Sequence, residues 1–246
     1  MNLYAYCLSD QAAAWMIEGA KGVNGGTEPR LISVEGIKAV VSEHLEQKAQ
    51  LTRENVFAHE RVIGRVLAHT TPLPFRFGVV SSASELEDFI SSQKDKVMAG
   101  LERVRGSVEM SVKIIWDVET ARSVVEKPLE APAEAGENAS PLGRGAMFLE
   151  AKRREILGTE VARQRAEEVA AWLELRLEDL SKETEVAVNS TKELVIKAAH
   201  LVERVRLEEY RARLRAIQKE RHDLHFLTSG PWSPYSFSKI KLDCKG

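Results

Sequence analysis

Residues 119–145 constrain the fold of this chain more than any other stretch. Pro128, Pro132 and Pro141 fall within them beside several alanines and glutamates, with almost no large apolar side chain beyond Val124, Val125 and Leu129. Such a segment buries too little apolar area to offset the entropy of ordering it. Domain boundaries fall in segments of this kind. The sequence therefore predicts a first domain at 1–118, a flexible linker at 119–144 and a second domain at 145–246. At 246 residues, the chain is also near the size at which one core gives way to two.

The first part opens with an aromatic, apolar strand at 3–8. Glycines between Gly19 and Gly26 mark a loop; no Lys-Ser or Lys-Thr follows in the frame that a phosphate loop needs, and no G-x-G-x-x-G occurs. Two β-branched runs, 31–34 and 37–41, flank Glu35-Gly36 in a hairpin pattern. Thr52 can cap a helix at 52–69 whose Val56, Ile63 and Leu67 share a face, and Thr71-Pro-Leu-Pro74 must stop it. A strand at 75–80 and a second long helix at 84–105 follow, the latter ended by Gly106. At 108–116, Val108, Met110, Val112 and Ile114 alternate with Glu109, Ser111 and Lys113, a half-buried strand assigned to the first domain. This order resembles a ferredoxin-like β-α-β-β-α-β unit with an extra helix.

Beyond the linker, 146–180 reads as a long charged helix, with Gly158 its weakest point and Val169, Leu173, Leu177 and Leu180 as a seam. Strands at 185–189 and 194–202, a helix at 205–221 and a strand at 223–228 complete a modified ferredoxin-like arrangement. The expected fold class is α+β with two such domains.

Charge narrows the partners. With 35 basic against 37 acidic residues the formal net charge is -2, too little for a field that gathers polyanions. The basic series Arg204, Arg206, Arg211, Arg213, Arg215, Lys219 and Arg221 is interleaved with Glu203, Glu208, Glu209 and Glu220, and Lys152-Arg153-Arg154 lies between Glu150 and Glu155. Counterion release needs unopposed cations, and no aromatic Lys/Arg-Gly-Phe run marks an RNA-binding sheet. No basic n-region precedes an apolar run at the start, and no apolar stretch approaches the ~20 residues that span a bilayer. Cys7 and Cys244 do not make a disulfide framework. Neither nucleic acid nor membrane is expected as a partner, and the expected location is the cytoplasm.

Catalytic groups are scarce. His59-Glu60 opens like a zincin helix, but Ile63 stands where the second histidine is needed, and one histidine cannot close a zinc site. His222 and His225 lie where a helix ends. No G-x-S-x-G elbow occurs, and Glu167-Glu168 and Glu208-Glu209 sit on charged helices. A cysteine paired with a distant histidine stays open, because triads assemble from distant segments. No catalytic, metal or cofactor residue is assigned, and the chain reads as a binder of proteins rather than an enzyme.

Two aromatic motifs stand out. Pro72-Leu-Pro-Phe-Arg-Phe-Gly78 puts Phe75 and Phe77 on one side of the expected strand and Arg76 on the other. Gly230-Pro-Trp-Ser-Pro-Tyr-Ser-Phe237 places Trp232, Tyr235 and Phe237 on a proline-stiffened segment. Proline lowers the entropy lost on ordering, and aromatics bring large apolar area with few torsions. These six residues are the candidate protein-interaction site; packing against their own domains is the competing reading.

The same residues carry a family resemblance. Leu3-Tyr4-Ala5-Tyr6, His59-x-x-Val62-Ile63, Leu73-Pro-Phe-Arg-Phe-Gly78, Gly145-Ala-Met-Phe-Leu149, Ala198-Ala-His-Leu-Val-Glu-Arg204 and Gly230-Pro-Trp-Ser-Pro-Tyr-Ser-Phe237 occur in order along nearly the whole chain. Together they resemble the gas vesicle protein L/F family, with Ser233 standing where the family often has a second proline. The resemblance implies two ferredoxin-like domains, the second modified. It implies a non-enzymatic accessory role in assembling gas vesicles, with the hydrophobic shell protein and other accessory proteins as partners and the vesicle as the place of action. The alternative function is a small-molecule-binding ferredoxin-like enzyme; RNA binding is a third.

Overall fold

The computed structural model describes residues 2–25, 27–116, 144–188, 194–240 and 242, with backbone alone for 144–159, 194 and 195. The expected linker lies outside the described residues except for Arg144, which opens a helix.

The chain runs β1 (Asn2–Ser9), α1 (Ala14–Ile17), β2 (Arg30–Val34), β3 (Ile37–His44), α2 (Arg53–Leu67), β4 (Leu73–Pro74), β5 (Val80–Ser82), α3 (Ala83–Ser92), α4 (Lys94–Val104) and β6 (Ser107–Trp116). It continues with α5 (Arg144–Leu177), β7 (Glu183–Val188), β8 (Leu194–Glu203), α6 (Leu207–Glu220) and β9 (Leu224–Trp232). There are two antiparallel sheets. The first has the order β2-β3-β1-β4, with β5 also paired to β1, and the second β7-β8-β6-β9.

The chain divides into two compact units, Met1–Met110 with His200–Leu207 and Ser229–Gly246, and Ser111–Ala199 with Glu208–Thr228. Each is therefore assembled from separated parts of the sequence. The strand expected to close the first sheet, β6, pairs instead with β8 and β9 in the second. Its alternation shows that one side is buried but not which sheet it joins.

In the first unit β1 is the central strand and is buried along almost its whole length. Hydrophobic strands with partners on both edges lose water from both faces. The β2–β3 hairpin closes with Val34 opposite Ile37, leaving Glu35 and Gly36 as a two-residue turn at φ 49° and 88°. Two successive left-handed residues match the strand twist, as hairpin turns of this length require.

Thr52 caps α2 by accepting the Asn55 N–H, and the helix turns His59, Val62, Ile63, Val66 and Leu67 inward. They pack with Tyr4, Tyr6, Cys7, Val40 and Val80.

Two expectations need correction here. The helix at 84–105 is two helices that meet at Gln93, whose φ and ψ are -110° and 14°. Leu86, Ile90, Val97, Leu101 and Val104 stay buried in helical phase across this kink, so periodicity does not reveal it. Of the strand expected at 75–80 only Val80 is in one, as the first residue of β5; β4 ends at Pro74, and 75–79 lie between these two short strands on β1. Pro74 has no N–H to donate, and Gly78 at φ 95° turns the backbone out of the ladder.

In the second unit the expected seam is found. Val169, Leu173, Leu177 and Leu180 are all buried, and α5 runs through Gly158 without a break. One helical glycine costs only about 1 kcal/mol. Arg213 holds the end of this helix, donating to the Arg176 carbonyl at 3.0 Å and lying 3.3 Å from Asp179. Arg221 caps the Trp172 ring at 5.2 Å.

Two glycines should respond oppositely to alanine. Gly36→Ala forces a Cβ into the left-handed turn and should lower stability by about 1 kcal/mol. Gly64 lies inside α2 with nothing within 4 Å of a would-be Cβ, so Gly64→Ala should raise stability by about 0.5–1 kcal/mol. Urea midpoints of the two variants check both signs.

Candidate functional site

In the first unit α2 brings His59 against β1 and the turn after β4. Its ring lies 5.7 Å from those of Tyr4, Tyr6 and Phe77 and 6.4 Å from that of Tyr235. Tyr4 and Tyr6 are themselves 4.9 Å apart. The residue is buried, and desolvation lowers the His59 pKa to about 4 against an opposing hydrogen bond with the Phe75 backbone. The imidazole is neutral at ordinary pH.

The two tyrosines carry the polar connections. The Tyr4 hydroxyl accepts the Gly78 N–H at 3.1 Å and pairs with His59 Nδ1 at 2.9 Å. Burial raises its pKa well above the usual phenol value, so the phenol keeps its proton. The Tyr6 hydroxyl accepts the Val23 N–H at 3.0 Å and bonds Ser42 Oγ at 2.9 Å. A Cβ on Gly22 would lie 2.6 Å from the Thr27 carbonyl oxygen and 3.1 Å from the Tyr6 hydroxyl. The glycine-rich loop therefore folds close around a phenol.

Residues 235–238 each bond an earlier part of the first unit. The Tyr235 hydroxyl donates to Glu60 Oε1 at 2.7 Å. Burial raises the Glu60 pKa, partly offset by that hydrogen bond. Burial and the neighbouring Glu60 charge push the Tyr235 phenol up as well. The Ser236 N–H and hydroxyl donate to the two carboxyl oxygens of Glu109 at 2.8 and 2.9 Å. Arg103 donates to the Phe237 carbonyl. The Ser238 hydroxyl donates to the Pro74 carbonyl at 2.9 Å.

The six candidate interaction residues thus fall into three groups. Phe75 and Phe237 are core residues, Phe75 lying 6.3 Å from the Phe89 ring. Phe77 and Tyr235 are partly buried around His59. Arg76 is exposed, and Trp232 is 43% exposed with its Nε1–H on Ser229 Oγ at 3.1 Å. Sequence reasoning missed Tyr4, Tyr6, Glu60, Arg103 and Glu109 as partners of these motifs. Glu109 was assigned to the polar side of its strand, yet it is 7% exposed. Nothing in the alternation distinguishes a solvated acid from one that accepts a loop.

The titratable groups of this block are held in their neutral forms by burial. Cys7 is buried and its thiol is pushed far above the ordinary range by desolvation, so no thiolate stands ready for attack. Cys244 lies outside the described residues. No cluster of three metal-ligating side chains occurs among the described residues.

The buried imidazoles make stability pH-dependent. Burial lowers both His59 and His200 to about 4, so between pH 6.5 and 4 the unfolded chain holds protons that the folded chain does not. Stability is present above pH 6.5 and should fall as pH drops through that window, by up to about 1.4 kcal/mol per pH unit per histidine. Glu60 works oppositely, since its raised pKa favours the fold at low pH and that contribution is lost as pH rises. Urea titrations from pH 4 to 8 should give a shallower slope for His59→Gln. Glu60→Gln, which keeps an acceptor for Tyr235, should be more stable than the unsubstituted chain at pH 7 and equal to it at pH 3.

Comparison with known proteins follows the same architecture. The family described as "Gas vesicle synthesis protein GvpL/GvpF" matches residues 2–239. Gas vesicle protein F1 of Halobacterium salinarum is 25% identical over 246 residues, covering 98% of this chain and 94% of its own length. Gas vesicle protein L of a Streptomyces species is 25% identical over 261 residues, covering 96% and 92%. The crystal structure of GvpF from Anabaena sp. PCC7120 has a TM-score of 0.77 at 20% identity, covering 98% of this chain and 97% of that one. That of GvpF from Microcystis aeruginosa has a TM-score of 0.77 at 21% identity, covering 97% and 99%. With the profile spanning the tyrosines of β1, the His59 helix and the clamp at 233–238 alike, the chain belongs to the gas vesicle synthesis protein GvpL/GvpF family and has a role in gas vesicle assembly.

Proposed function

We propose that the protein is a non-enzymatic assembly factor that binds the hydrophobic shell protein of the gas vesicle, alone or with other accessory proteins, in the cytoplasm where the vesicle grows. The observation that carries this reading is the partition of the aromatic motifs. Phe75, Phe77, Tyr235 and Phe237 are spent on a rigid block, while Trp232 and Arg76 are left at the surface of the same unit. A tryptophan held on a fixed backbone loses little entropy on binding, and tryptophan and arginine are the residues that most often anchor interfaces. A shell subunit with a large apolar face needs it covered before polymerisation, and an exposed aromatic amid charge suits that task.

The two sheets also support a reading as two ferredoxin-like modules, the second modified by the long helix α5. In each, the second, third, first and fourth strands in chain order lie side by side, with β5 added to the first. On that reading β6 is the opening strand of the second module, so the first module ends before Ser107 and the sequence boundary at 118 falls inside the second.

Co-expression with the principal shell protein tests the function. Tagged chain should recover soluble shell protein in stoichiometric amount. Trp232→Ala with Arg76→Ala should reduce recovery at least tenfold while the thermal midpoint moves by only a few degrees. Phe237→Ala should instead destabilise by about 3–5 kcal/mol, through lost packing. Full recovery with the double variant would remove this surface from the interface; no recovery with the unsubstituted chain would remove direct shell contact.

A further inference from the structure

The outward face of α2 takes no part in the block around His59. Arg53, Phe57, Arg61 and Arg65 recur along it at every fourth position, the spacing that forms a single ridge on a helix. His69 holds the next such position, just past the helix end. Arg53, Phe57, Arg61 and His69 are exposed, and Arg65 is half-buried. The Arg53 guanidinium lies over the Phe57 ring at 5.3 Å. Trp15, 58% exposed, meets the His69 ring edge to face at 4.6 Å. An aromatic ring thus stands towards each end of a basic row.

The chain does not neutralise this row. Arg65 donates to the Glu18 carbonyl, and none of Arg53, Arg61 and Arg65 has a carboxylate partner among the described residues. Arg105, Arg163, Arg176, Arg211, Arg213 and Arg221 each have one. Of the two acids in α2, Glu60 is bonded to Tyr235 and only Glu54 is exposed. Beside the ridge the helix surface is cut away. Gly64 and Ala68 are both exposed, and a Cβ on Gly64 would meet no atom within 4 Å. A glycine inside a helix costs about 1 kcal/mol relative to alanine, and no close approach among the described residues requires this one. It leaves a groove in which a second helix can lie at the short end of the usual interaxial range.

We propose that this face of α2 docks an acidic helix of a partner protein, whose carboxylates recur every fourth residue and pair with Arg53, Arg61 and Arg65 while small side chains beside them settle over Gly64 and Ala68. Charge complementarity sets the sign of the partner, and the groove sets its form. Carboxylates four residues apart on a helix rise by about 6 Å, the same repeat as the arginine ridge. Phe57 and Trp15 add apolar area at either end, as interface aromatics do. Nucleic acid fits less well, because counterion release grows with the number of phosphates neutralised, and three arginines beside Glu54 neutralise few. The site is separate from Trp232 and Arg76 and does not rest on contact with the shell protein.

The test uses the full chain and a fluorescein-labelled peptide of repeated Glu-Ala-Leu-Ala, held helical by a hydrocarbon staple between two leucine positions and followed by anisotropy. The unsubstituted chain should bind it, and Arg61→Glu, a change at an exposed position, should cost at least tenfold in affinity. Gly64→Leu fills the groove without changing charge, and it should cost at least tenfold while leaving the thermal midpoint unchanged or higher. A stapled peptide of the same composition, with its glutamates no longer four apart, should bind at least tenfold more weakly. No binding by the unsubstituted chain, or equal affinity for Gly64→Leu, would overturn the proposal. Tighter binding of a single-stranded RNA that Arg61→Glu abolishes would assign the face to nucleic acid and overturn it too. So would a concentration-dependent dimer of the unsubstituted chain that Arg61→Glu dissolves, since a second copy would then be the occupant.

Discussion

Glu109 and Ser236 make the contact on which the first unit depends. A neutral polar group withdrawn from water without a hydrogen bond costs roughly 2–7 kcal/mol, and a carboxylate more. At Glu109, 7% exposed, both oxygens are bonded by a residue 127 positions away in sequence. The cost and its offset are thus carried by segments that meet only when the chain has returned through β9. Arg103 and Glu60 repeat the pattern on either side, Arg103 donating to the Phe237 carbonyl and Glu60 accepting from Tyr235. Removing one partner leaves the other buried and unpaired, which is more damaging than removing both. The first unit is therefore discontinuous for a physical reason: Glu60, Arg103 and Glu109 find hydrogen-bond partners in residues 235–237.

This clamp also decides what the aromatic motifs can be. Sequence reasoning weighed them as one interaction surface against ordinary packing, and packing holds for Phe75, Phe77, Tyr235 and Phe237. A ring donates its area once, either to the core or to a partner. The rings around His59 give theirs to a block in which hydroxyls, imidazole and backbone N–H groups already bond one another. Such a block is rigid and chemically quiet, because its histidine is neutral and its thiol protonated. It is a support for surface residues, not a source of reacting groups.

Much of the fold was legible because its signals are local. The Glu35-Gly36 turn, the Thr52 cap and the seam of α5 each depend on residues within a few positions of one another, and each was read correctly. The failures share another property. Periodicity follows the phase of a helix and is blind to a one-residue kink at Gln93 that preserves it. Alternation marks β6 as half-buried but carries no information about whether β1 or β8 lies beside it. Glu109 looks like any solvated acid until β9 brings Ser236 back. Site residues were partly legible, since the motifs were found but their hydrogen-bond partners lie 74 to 175 positions away.

The glycine loop shows why residue types should be read with their surroundings. A run of glycines permits close approach of the backbone to something, and phosphate is one candidate. Here Gly22 brings the loop against the Tyr6 hydroxyl, which also takes the Val23 N–H. The same freedom that would cradle an anion instead satisfies a phenol buried under α2. Tyr6 can then contribute its full ring to the His59 block without leaving its hydroxyl unbonded, which is what lets a strand as apolar as β1 carry two tyrosines at its centre. The loop thus acts on the core, and through the core on Phe77 and Tyr235, which pack around the same histidine.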